Sequence, residues 1–125
     1  MRHFFLPLTI AAISLASPVL AAPGDMNVAT FLAKADALKA KGAAALFSPD
    51  IKLLQAEGNA AGEHYKARLK AERAAGKPSS CPPQGARINS DQLLAFLRTY
   101  PEAARPRVSM KQAMADYFIR HFPCR

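Results

Sequence analysis

The chain has 125 residues, half of them hydrophobic, with 17 lysines and arginines against 9 acidic residues and a formal charge of +8. That length fits one small domain, and the basic residues are scattered, without the interleaved aromatics of a nucleic-acid stacking platform. Two cysteines and three scattered histidines do not supply the ligands or spacing of a zinc site. No glycine-rich phosphate loop or recognisable carboxylate pair accompanies them, so no metal or cofactor is expected.

The first stretch, "MRHFFLPLTIAAISLASPVLAAPGD", opens on Arg2 and His3, runs apolar from Phe4 to Leu20 and closes on small residues. This is the pattern of a secretory signal, and cleavage is expected after Ala21, with Val19 and Ala21 at the positions the peptidase reads. The competing reading is an uncleaved anchor. A spanning helix needs about 20 apolar residues, and this run is marginal and carries Pro7 and Pro18. Removing residues 1–21 leaves 104 of the 125 residues and takes away Arg2, so the exported chain would carry +7. For an exported protein such a charge points to an acidic protein partner or an anionic envelope surface; the plainer reading is a solvated basic surface.

The remainder reads as helices. The first is expected from Val28 to Lys41, capped by Asn27, with Val28, Phe31, Leu32, Ala35 and Leu38 on one face and Gly42 as its stop. The second is long, with Ser48 as cap, Pro49 at its first position, Asp50 at its positive end and Gly76 as its stop. Its inward stripe is Ile51, Leu54, Gly58, Ala61, Tyr65 and Leu69, with Gly62 beside it. Glycine inside a helix costs up to about 1 kcal/mol relative to alanine, so Gly58 and Gly62 need a reason. Close packing of another helix of the fold is one; a groove for a partner is the other.

"GKPSSCPPQGAR" is a breaker-rich joint between two helix pairs of a single domain spanning 22–125. The third helix is expected from Asp91 to Tyr100, capped by Ser90 and stopped at Pro101, burying Leu93, Leu94, Phe96 and Leu97. The fourth is expected from Met110 to Phe122, opened by a Ser109–Gln112 capping box, with Ala113, Met114, Tyr117, Phe118 and Phe122 inward. The short connection from Pro101 to Val108 makes these two helices antiparallel neighbours. The fold class is therefore all-α, about four helices ending in a helical hairpin.

Three readings compete for Cys81 and Cys124: a disulfide, a catalytic thiol and half a metal site. In an oxidising compartment the two are expected to pair, closing the open end of the hairpin. The enclosed loop stabilises by about 4 kcal/mol on the chain-entropy model. A nucleophilic thiol would need a base beside it; His64 and His121 exist, but no local signature brings either to a cysteine. The chain reads as a non-enzyme.

The segment from Cys81 onward resembles the C-terminal half of the Rap/Tai family, the periplasmic immunity proteins of type VI secretion amidase effectors. The residues that carry the resemblance are Cys81, Pro82 and Gly85; Gln92 and Leu93; Tyr100 and Pro101; Ser109 and Ala113; and Phe122, Pro123 and Cys124. The family's Gly-Tyr-x-x-Gly helix has no close counterpart in "AEGNAAGEHY", where Gly58, Gly62 and Tyr65 are arranged differently. The resemblance implies an all-helical periplasmic protein, commonly a homodimer, that binds a cognate amidase and blocks its groove. It also implies a Cys81–Cys124 disulfide. The alternative is a non-enzymatic envelope binding or structural protein on the same scaffold. Two segments could enter a partner's groove: 42–48, with Phe47, and 101–108, with Arg105 and Arg107. These are residue types that form binding hot spots, although Phe47 could equally close the edge of the core and the arginines could simply be solvated.

Overall fold

The structure, a computed structural model, describes residues 22–125; the expected signal segment and its cleavage position lie outside the described residues. Four α-helices follow one another in the described residues: α1, Val28–Lys41; α2, Pro49–Ala74; α3, Ser90–Leu97; and α4, Met110–His121. Two 3₁₀ segments, Gly42–Phe47 and Arg105–Arg107, were not foreseen. No described helix is long and apolar enough to cross a membrane.

The local causes are visible at each helix end. Asn27 accepts the Thr30 amide at the start of α1, and Lys39 and Lys41 sit at its negative end. Ser48 accepts the Asp50 amide at the start of α2, with Pro49 in the first turn. At the far end of α2 the Lys77 amide donates to the Glu72 carbonyl and the Gly76 amide to that of Arg73. This Schellman arrangement needs a left-handed residue, and Gly76 supplies it at φ 73°.

Two helix ends differ from expectation. Asn89, not Ser90, caps α3, because the box pairs residues three apart and Gln92 is its reaching partner. Asn89 Oδ1 accepts the Gln92 amide at 2.8 Å, and Gln92 Oε1 accepts the Asn89 amide at 3.0 Å. The same helix stops at Leu97; the Thr99 and Tyr100 amides donate to the carbonyls of Phe96 and Leu97, tightening the chain before Pro101. At α4, Ser109 does accept the Gln112 amide, but the Gln112 side chain turns to Asp116. The box is half made, and α4 ends at His121.

The core forms around α2, whose Leu54, Ala61, Tyr65 and Leu69 are buried as the stripe requires. α4 packs chiefly on α2, with Phe118 stacked on Tyr65 at 5.4 Å, and Ala113, Met114 and Tyr117 of α4 join Val28, Phe31 and Leu32 of α1 in the same core. Each aliphatic side chain so buried contributes about 1.5–3 kcal/mol. α3 and α4 form the expected hairpin, joined by rings. Phe96 meets Tyr117 and His121 edge-on at 5.4 and 5.9 Å, and the Tyr100 hydroxyl donates to Asp116. Moving back from Tyr100 to Phe96 moves forward from Asp116 to His121, which is the antiparallel sense. Leu94 is only half-buried.

Candidate functional site

The disulfide is the first element of the C-terminal segment to locate. Cys81 and Cys124 are bonded, with Cα atoms 4.9 Å apart, and the Cys81 amide donates to the Phe122 carbonyl at 2.7 Å. No cysteine is free, so neither serves as a thiol nucleophile in this state. Immediately before it, Ser80 is fully buried and shares a 2.5 Å hydrogen bond with the Tyr65 hydroxyl. Ser79 donates from its hydroxyl and its amide to Glu72 Oε1, at 2.5 and 3.1 Å. Those two bonds, the hydroxyl's first, hold the Glu72 carboxyl below the ordinary carboxylate range, and Arg68 adds to them. The end of α2, the 79–81 segment and the end of α4 are thus tied at one point.

From that point the chain runs as Pro82–Asn89 along a groove of about 1240 Å³. Its floor is the face of α2 on which Gln55, Gly58, Gly62, Lys66, Leu69 and Arg73 recur every three or four residues, and residues of α1 and α3, among them Leu38 and Leu94, also line it. Among the described residues no helix packs on Gly62, and α3 reaches Gly58 only through the Leu93 side chain. A Cβ added at Gly62 would meet nothing within 4 Å, and one at Gly58 would meet only the Leu93 side chain at 4.0 Å. The sequence shows that the stripe is small; it does not show that no described helix covers it.

The two candidate segments for insertion divide sharply. In the 3₁₀ turn between α1 and α2, Ala45 points inward, while Leu46 and Phe47 are 77% and 91% exposed. Phe47 is therefore not an edge of the core. Lys41 on one side and Lys52 on the other are also exposed. In the second segment Arg105 is spent on the fold: its Nε donates to the Tyr100 carbonyl at 2.9 Å and its Nη2 to that of Arg98 at 3.0 Å. The first lies in the turn after α3 and the second at its C-cap, so the guanidinium braces the exit of the helix. Arg107 remains exposed.

Sequence reasoning missed Glu57. It lies on α2 beside the stripe and is 6% exposed, accepting the amides of Gly24 at 2.6 Å and Met26 at 3.2 Å. Gly24 stands at φ 96°, and a Cβ there would come within 3.0 Å of the Lys111 side chain and 3.4 Å of the Ala61 amide. The carboxylate anchors the segment leading into α1.

Comparison with protein-family models, with curated proteins and with solved structures returned no match.

Proposed function

We propose that the chain is a periplasmic immunity protein that acts by binding, not by catalysis, and blocks a peptidoglycan amidase effector of a type VI secretion system. The observation that carries this reading is the fit between the Rap/Tai pattern and the mechanics of the C-terminal segment. Cys81 and Cys124 close it, Gly85 turns the chain at φ 80°, and Gln92 completes the α3 cap. Tyr100 locks α3 to Asp116, Ser109 caps α4 and Ala113 is fully buried under it. Seven of the pattern's twelve positions thus have a structural task in this fold. The secretory leader pattern and the disulfide favour an oxidising envelope compartment.

The inhibitory element in this reading is the Leu46–Phe47 tip. An aromatic and an aliphatic side chain standing in water gain about 1.5–3 kcal/mol each on entering an apolar cleft, and Lys41 and Lys52 match an acidic rim. The test is capture from the native envelope with the oxidised protein, followed by an amidase assay of what is captured. A stoichiometric amidase that loses activity in the complex is the expected result. A partner of another class, or binding to envelope material that salt alone disperses, would replace this reading with that of an envelope-surface protein.

A further inference from the structure

The groove over Gly58 and Gly62 is not lined by the Leu46–Phe47 tip and has no role in the reading above. We propose that it is a docking site for an amphipathic helix of a partner protein, with apolar side chains toward the groove and acidic residues on both flanks.

The groove is too large and open for a typical small-molecule site, which spans about 300–1,000 Å³; this one is about 1240 Å³. Its floor from Gln55 to Arg73 extends about 27 Å at roughly 1.5 Å per residue, the length of several helical turns. An extended peptide would bring unpaired backbone amides and carbonyls, and the only bridge among the described residues, Asn27 to Ser109, lies at the starts of α1 and α4. No sheet edge is there to receive such a peptide, whereas a helix arrives with its backbone already satisfied. Gly58 and Gly62 lower the floor by the depth of a side chain, and no described residue fills the space over Gly62. Half-buried Leu94 and Phe118 supply the apolar surface for the partner, and only the edges of the core residues Leu54, Leu69 and Leu93 show beside them.

Charge fixes the chemistry of the flanks. Lys66 and Arg73 stand on α2 and Arg87 on the opposite wall, against Glu63 as the groove's one acidic residue among the described residues. None of the three cations is in an ion pair with a described carboxylate. The wall is also set in advance. The disulfide and the Cys81–Phe122 hydrogen bond hold one end, the Asn89–Gln92 box holds the other, and Pro82 and Pro83 stiffen the span. A preformed groove loses less freedom on binding.

The experiment uses the full chain after export and purification in oxidised form. The probe is a capped, labelled peptide of about 18 residues, long enough to cover the floor, with leucine and alanine on one face and glutamate on the flanks. A twin carries lysine in place of every glutamate. The expected result is saturable binding of the acidic peptide, about tenfold or more tighter than its twin and weaker at high salt. Amide shifts should cluster at Gly58, Gly62 and Arg87. Gly62→Leu, whose side chain enters open space on a helix that favours leucine, should keep or raise the melting temperature while cutting affinity about tenfold or more. Lys66→Glu with Arg73→Glu should invert the preference between the peptides. Equal binding of the twins, shifts confined to other surfaces, or affinity untouched by Gly62→Leu would overturn the proposal. So would a groove that takes dodecyl phosphate but neither peptide.

Discussion

Asn27 and Ser109 cap different helices and lie opposite each other in an antiparallel bridge. The Val28 amide donates to the Val108 carbonyl, and the Met110 and Lys111 amides donate to the carbonyls of Met26 and Gly24. Each helix start thereby finds partners for amides that its own helix cannot satisfy. Bringing two N-termini together also places two positive dipole ends side by side. The carboxylates nearby offset this: Asp25 pairs with Lys111 at 2.9 Å, and Glu57 sits behind the segment, holding Gly24 and Met26.

Glu57 is accordingly the polar residue whose removal should cost most. Glu57→Ala leaves two inward amides without an acceptor, each worth about 1–3 kcal/mol, and opens space beneath the segment. A loss of about 2–4 kcal/mol is expected by urea denaturation, with a smaller loss for Glu57→Gln, which keeps one acceptor oxygen. A change below about 0.5 kcal/mol, the scale of an ordinary surface substitution, would show that the segment is not held there.

Both cysteines are exposed although they tie three elements together. Reductant should reach the bond in the folded protein, and alkylation without denaturant should then label both sulfurs. Replacing both cysteines with serine should cost about 4 kcal/mol on the chain-entropy model for the loop they close. The Cys81–Phe122 backbone bond and the Tyr65–Ser80 contact remain in that variant, so a weakened fold is expected in place of an unfolded one. Full stability in the serine variant would show that those bonds alone close the hairpin.

Much of this fold was legible because its signals are local. Asn27 and Gly42 bracket α1, Ser48 and Pro49 open α2, and the stripe of α2 follows from its periodicity. The cysteine pairing followed from the expected compartment. What stayed hidden depends on partners distant in the chain. Glu57 reads as a surface acid until Gly24 and Met26 are brought to it. Gly58 and Gly62 read as a packing stripe until the described helices are seen to leave it uncovered. The α3 cap is a different failure: Asn89 and Ser90 are both good caps, and only Gln92, three residues after Asn89, selects the first.

Acid should weaken the tie at the end of α2. Glu72 has an ordinary value of 4.5 and is held below it in the fold, mainly by the Ser79 hydroxyl, then the Ser79 amide and Arg68. Asp36 is lowered in the same sense, mainly by its hydrogen bond from Arg98. A carboxyl depressed in the folded state stabilises above its unfolded value and loses that contribution as pH falls through the folded one. Stability should therefore decline as pH drops below about 4.5. Glu72→Gln should be less stable than the parent at neutral pH and approach it in acid, as read by urea midpoints across the range. Parallel curves at all pH values would show that Glu72 exchanges no stabilising interaction on folding.

Phe47 separates binding from folding. It is 91% exposed and lies outside the buried core, so Phe47→Asp should change stability by no more than about 0.5 kcal/mol. If the Leu46–Phe47 tip is the inserting element, the same substitution removes an aromatic anchor and puts a charge in an apolar cleft. Hot-spot residues of this kind are worth about 2 kcal/mol or more, roughly thirtyfold in affinity. Thermal melts of the variant should overlay the parent while capture of the envelope partner falls by that factor. Arg105→Ala should show the opposite pattern, because its guanidinium binds the carbonyls of Arg98 and Tyr100: a lower melting temperature with partner affinity retained. Unchanged capture by Phe47→Asp would move the inhibitory contact away from this turn.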